Sequence, residues 1–150
     1  MQLFGNICIA KSIAILYNEY KSKRYIHNFK KGGCVMDIRR YDIVKADLSG
    51  AIGSEQGGIR PVLIIQNDVG NIYSSCTIVM PLSSRLKSIN QPTHTLIKRS
   101  MDTGLKTDSI LLGEQMRVIS SQRIICKIGT VTDEEERREI RRVYQANFGE

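Results

Sequence analysis

Tryptophan is absent from this 150-residue chain, and phenylalanine and tyrosine together fill only nine positions. No apolar run reaches the 18 or more residues a membrane span requires, so no membrane partner is expected. Of two histidines, His27 lies in an N-terminal segment of different character, which leaves His94 alone in the rest of the chain. A histidine pair dividing acid and base roles therefore cannot be built within one subunit's body. The four cysteines, Cys8, Cys34, Cys76 and Cys126, show neither C-x-x-C spacing nor a His-rich zinc pattern. They are expected as free thiols in a reducing cytoplasm, with Cys76 and Cys126 in the core. A glycine-rich stretch lacks the G-K-[ST] ending of a phosphate-binding loop. No nucleophile–base–acid triad and no cluster of metal ligands stands out, so neither metal nor cofactor is expected. There is no internal repeat or low-complexity tract.

The length suits one domain with one core. The net charge of +7 is unevenly placed. Residues 1–35 carry six Lys/Arg against one Asp/Glu, and residues 36–150 carry sixteen against fourteen. The body is thus nearly neutral, and any polyanion-binding argument must rest on local arginines. Residues 1–35 form an N-terminal extension with three readings. A signal peptide would need its positive charges before the apolar stretch Ile7 to Leu16, whereas they follow it. An amphipathic helix packed on the body or on a membrane surface is a second reading. A translated leader is the third, because Lys31-Gly32-Gly33 can be encoded by a purine-rich ribosome-binding sequence just upstream of Met36.

From Met36 to Glu150 the chain reads as short strands between turn signals, which predicts a mainly β domain, a small barrel or sandwich, with a C-terminal helix. Strands are expected over Tyr41 to Leu48, Pro61 to Gln66, Thr77 to Leu82, Thr93 to Lys98, Ser109 to Leu112 and Glu114 to Ile119. Pro61 to Gln66 is a continuous apolar run suited to a buried central strand. Asn67 to Asn71 has turn chemistry, and Pro81 suggests a sheet edge or a strand end. Thr132 with Glu135 matches a capping box, followed by acids in the first turn and arginines beyond. Ile140, Val143, Tyr144 and Asn147 give that helix a narrow inward stripe, which places it on the surface of the barrel. Its charged residues read as a solvated face with helix-supporting ion pairs.

The most informative segment is Gly53-Ser54-Glu55-Gln56-Gly57-Gly58-Ile59-Arg60, leading into the apolar strand. Glycines let the backbone approach a ligand and adopt φ > 0. The strand fixes Arg60 on a rigid element, with five donors for phosphate or carboxylate. Arg60 reads either as a surface ion pair or, with an RNA substrate, as the group that stabilises charge developing on a scissile phosphate. Glu55 reads as its salt-bridge partner or as the general base for a ribose 2′-hydroxyl. Ser83, at a strand end, is a turn former or a positioning hydroxyl, with no neighbouring base to make it a nucleophile. His94 is structural or touches substrate. Metal-free cleavage by the RNA's own 2′-hydroxyl fits this residue set.

Tyr41-Asp42-Ile43-Val44 with Ala46-Asp47-Leu48, Gly53 to Asp68 with Gly70-Asn71, Pro92-Thr93-His94, and Leu111-Leu112 leading to Glu114-Gln115-Met116-Arg117 occur in this order. Over about Asp37 to Ile128 the chain closely resembles the MazF/PemK family of toxin endoribonucleases. The resemblance implies an SH3-like barrel of the CcdB/MazF toxin type with a terminal helix. It implies a homodimer, a small antitoxin partner, and metal-independent, sequence-specific cleavage of single-stranded mRNA that causes growth arrest. Carried over residue by residue, Arg60 and Ser83 are the essential pair, with serine where the family usually has threonine. Glu55 matches the loop acid, and Gln115 and Arg117 match positions near an RNA groove. Ser54, Gln56, Gly57, Gly58 and His94 complete the expected substrate-binding set. The loop Ser84 to Gln91 differs from relatives, and Tyr41 and Tyr73 are the body's aromatic candidates for base stacking. A non-catalytic poison of a protein such as a topoisomerase, and a nucleic-acid-binding barrel without turnover, are the competing functions.

Overall fold

The computed structural model describes residues 37–86 and 89–149. The expectations for residues 1–35, and for Lys87 and Ser88 within the loop 84–91, lie outside the described residues. The elements in chain order are β1 (Asp42–Asp47), β2 (Ile59–Ile64), α1 (Asp68–Tyr73), β3 (Cys76–Ser83), β4 (His94–Ile97), β5 (Ser109–Leu112), β6 (Arg117–Ser120), β7 (Ile124–Thr130) and α2 (Glu134–Ala146). Short 3-10 turns, Gly113–Gln115 and Ser121–Arg123, lead into β6 and β7.

The seven strands form one antiparallel sheet in the order β4-β5-β3-β2-β1-β7, with β6 also on β3. One edge of β3 pairs with β2; along the other, Cys76 to Val79 pair with β6, and Leu82 and Ser83 pair with β5. This split bends the sheet around its core, although the ladder among the described residues stays open between β4 and β7. The expected mainly β, barrel-like fold with a terminal helix is the fold observed.

The apolar run after Arg60 behaves as its composition demands, with Val62, Leu63 and Ile64 fully buried at the sheet centre. Ile43, Met80, Leu82, Ile97 and Leu111 join Leu63 in the core, and α2 covers it with Ile140 and Val143. The charged face of α2 carries Arg138–Glu135, Arg141–Glu134 and Arg142–Glu139 pairs, as its sequence suggests.

Several local expectations are corrected. Asn67 does not open a turn but caps α1, its side chain accepting from the Gly70 amide at 2.7 Å. The capping residue of α2 is Asp133, which accepts from the Glu136 amide at 2.9 Å; the Thr132 hydroxyl instead donates to Asp102. Pro81 is buried inside β3 and not at an edge. Its missing donor falls between the last β6 rung at Val79 and the first β5 rung at Leu82. The predicted strand Glu114 to Ile119 begins instead as a 3-10 turn, and β7 is a strand where the sequence pattern suggests none. Cys76 is only half-buried and Cys126 is exposed, so neither is a core residue, though both are free thiols. Cys126 lies on β7, which among the described residues pairs along one edge only, on β1.

Candidate active site

The register between β2 and β3 brings the two key side chains together. Val62 pairs with Pro81 and Leu63 with Met80. Continued outward, that register sets Arg60 opposite Ser83. Directly opposed residues project from the same face of a sheet. Both side chains line one hollow of about 770 Å³, shared with Gln56, Arg85, Lys45 and Lys106.

The glycine-rich segment forms the rim. Gly58 has φ of +72°, a left-handed conformation that glycine takes without strain. Gly57 passes so close to Ala51 that an added Cβ would lie 2.9 Å from that methyl group. The rim is tied to Arg60 through its Nε, which donates to the Gly57 carbonyl at 2.8 Å, and its Nη1, which donates to the Gln56 side-chain oxygen. A guanidinium has five N–H groups, so three remain for a ligand.

Gln56 is the node of the rim. Its amide donates to Gln115 Oε1 at 3.1 Å, and its carbonyl accepts from Arg117 Nη2. Gln115 Nε2 also reaches the Ser54 carbonyl at 3.5 Å. Two predicted substrate contacts, Gln115 and Arg117, thus hold the rim that carries four others, Ser54, Gln56, Gly57 and Gly58. Arg117 Nε is buried with no hydrogen-bond partner among the described residues; a buried donor in that state is costly unless something accepts from it.

Charge at the site is positive and mutually opposed. Burial is the main cause that lowers the Arg60 pKa from its ordinary value, and the nearby charges of Arg117 and Arg85 lower it further. Such a cluster holds cations in place against repulsion, which an incoming anion relieves. Glu55 does not line the hollow. Its Oε2 accepts from the Ile52 amide at 3.0 Å and lies 3.9 Å from Arg117 Nη1, so its arginine partner is Arg117, not Arg60. Ser83 Oγ accepts from the Arg85 amide at 3.3 Å, which leaves its own proton to be donated.

His94 is not brought to the hollow. It is buried, and its Nε2 lies 3.0 and 2.9 Å from the two carboxylate oxygens of Glu114. Sequence reasoning missed Arg85, Lys45 and Lys106. Arg85 stands two residues beyond Ser83, and Lys45 pairs with Pro61 beside Arg60. Lys106 comes from a distant loop with no local signal.

Residues 39–147 match the family model described as a PemK-like, MazF-like toxin of a type II toxin–antitoxin system. The chain belongs to this toxin family. The MazF-family toxin is 44% identical over 99 residues to endoribonuclease EndoA of Bacillus subtilis strain 168, covering 66% of this chain and 84% of that protein. It is 46% identical over 96 residues to endoribonuclease MazF of Staphylococcus saprophyticus, covering 64% of this chain and 79% of the relative. A crystal structure of MazF from Deinococcus radiodurans superposes with a TM-score of 0.66 at 18% identity, covering 77% of this chain and all of that one. At that identity the superposition speaks for the fold alone.

Proposed function

We infer that this toxin, an endoribonuclease like its curated relatives, cleaves single-stranded mRNA in the Arg60–Ser83 hollow. The observation that carries the inference is the placement of Arg60 and Ser83 on one face of adjoining strands, inside a hollow ringed by further cations. The ribose 2′-oxygen attacks the adjacent phosphorus, and the bond from phosphorus to the 5′-oxygen breaks. The products are a 2′,3′-cyclic phosphate and a 5′-hydroxyl, the leaving oxygen taking its proton from solvent.

Arg60 meets the charge that builds on the phosphoryl oxygens, a preorganised contribution worth about 100- to 1,000-fold in rate. Ser83 donates to the same group and fixes its orientation. Glu55 lies outside the hollow, where it accepts from the Ile52 amide and faces Arg117 at 3.9 Å, so it helps to hold the rim and the 2′-proton passes to solvent. The Gly57–Gly58 backbone gives the strand a close approach, and Ser54, Gln56, Gln115 and Arg117 shape the path of flanking nucleotides. The protein works in the cytoplasm as a homodimer and is neutralised by a cognate antitoxin.

The test is incubation of purified protein with a long single-stranded RNA in EDTA, followed by mapping of the 5′ ends. Site-specific fragments with 5′-hydroxyl ends that vanish in Arg60→Ala support the reading. Intact RNA from a protein that still arrests growth points to a non-catalytic poison.

A further inference from the structure

The segment that carries Gln56 is rich in residues with no side chain to anchor it, and Gly50, Gly53 and Gly58 all have positive φ. Its residues 54–56 are tied to a remote part of the chain through Gln115 and Arg117. What holds Gln115 in turn decides how well the rim is placed.

Gln115 ends the 3-10 turn Gly113–Gln115, and this turn is pinned from its other side. The Gly113 amide donates to the Thr93 carbonyl at 2.9 Å. A Cβ on Gly113 would lie 2.5 Å from Val143 on α2, so the turn sits directly on the helix. Glu114 is held by the His94 ring at 2.9 Å and by the Thr93 hydroxyl at 3.3 Å. Because a carboxylate only accepts, His94 Nε2 carries the hydrogen. The His94 strand end is itself fastened to α2, with Arg142 donating to the Pro92 carbonyl at 2.8 Å and the His94 carbonyl at 3.1 Å. A continuous line of bonded groups therefore runs from α2 through His94, Glu114 and Gln115 to Gln56, and from Gln56 to Arg60.

We propose that His94 and Glu114 are positioning residues for RNA cleavage, which act from outside the hollow by fixing the turn that holds the glycine-rich rim against Arg60. This rests on the function proposed above. The assignment explains why the body's one histidine is buried at 5% exposure and faces a carboxylate that is 40% exposed. Groups that orient a reactive constellation from a distance matter because a misplacement of about 1 Å can cost about 100-fold in rate.

The experiment is a double-mutant cycle on the full chain, read by single-turnover cleavage and by hydrogen exchange of the Gln56 amide. His94→Ala is expected to slow cleavage about 10- to 100-fold, chiefly in kcat, and to speed exchange of that amide. In a Gln115→Ala background the same change is expected to add less than about 3-fold, because the linkage is already broken. Glu114→Gln, which keeps an acceptor for His94, is expected to restore most of what Glu114→Ala loses. Additive effects of His94 and Gln115, or an unchanged Gln56 exchange rate in His94→Ala, would overturn the proposal. Should His94→Ala fail to fold, Glu114→Ala takes its place in the cycle, with the same results expected and the same results overturning the proposal. Amide exchange needs no RNA, so it separates failure of the positioning claim from failure of the cleavage reading.

Discussion

Replacing Arg60 by methionine separates catalysis from stability. The substitution keeps most of the aliphatic stem and removes the charge and all five donors. Loss of a preorganised donor at developing charge predicts cleavage slower by about 100- to 1,000-fold, or about 3 to 4 kcal/mol. Stability answers to different terms. The bonds to Gly57 and Gln56 are lost, at about 1 kcal/mol net each. Against this, burial and the charges of Arg117 and Arg85 all disfavour the charged form of Arg60 in the folded protein, and these penalties disappear with the guanidinium. The net loss should stay below about 2 kcal/mol, well within the margin of a folded domain. Single-turnover cleavage of a defined RNA, beside urea unfolding of the same preparation, measures both quantities. Cleavage within about 10-fold of the parent would refute the catalytic reasoning. A stability loss above about 4 kcal/mol would refute the electrostatic part and make the activity loss uninformative.

Three further outcomes follow from other parts of the molecule. Gly104 has φ of +63°, and a Cβ there would lie 1.9 Å from the Ile128 carbonyl oxygen. Gly104→Ala should therefore cost about 3 kcal/mol or more, read as a lower urea midpoint. Cys126 is exposed and lines the hollow; alkylation with a bulky maleimide should block cleavage in the parent and leave Cys126→Ser unaffected. The Ser49 side chain and amide hold the Asp47 carboxyl below its usual value. A depressed carboxylate stabilises the fold above the unfolded-state carboxylate range and loses that contribution as pH falls through its own lower value. Asp47→Asn should therefore be less stable than the parent at neutral pH, with the gap closing in strong acid, as measured by unfolding at stepped pH.

Much of the site was legible because its signals are local. A glycine pair, an arginine and an unbroken apolar run each constrain the backbone where they stand, and together they place Arg60 at the mouth of β2. Ser83 was readable as a strand end, but its position opposite Arg60 depends on register, which no single segment encodes. The same limit applied to Lys106 and to the clasp formed by Gln115 and Arg117, whose partners lie about 60 residues away. β7 was missed because Ile125, Cys126 and Lys127 are exposed in succession, so the strand shows no clean alternation. Asn67 illustrates an ambiguity of local chemistry, since the same side chain that favours a turn also caps a helix. His94 was visible as a solitary histidine, yet only tertiary structure reveals its partner Glu114.

The central claim is that the substrate's own 2′-hydroxyl attacks a phosphate held between Arg60 and Ser83. It is tested most directly with an RNA carrying one 2′-deoxy residue immediately 5′ of the mapped cleavage site. That bond is predicted to survive while the protein still binds the strand and cuts an unmodified copy of the site elsewhere in it. Cleavage at the deoxy position at the parent rate would contradict attack by the 2′-hydroxyl.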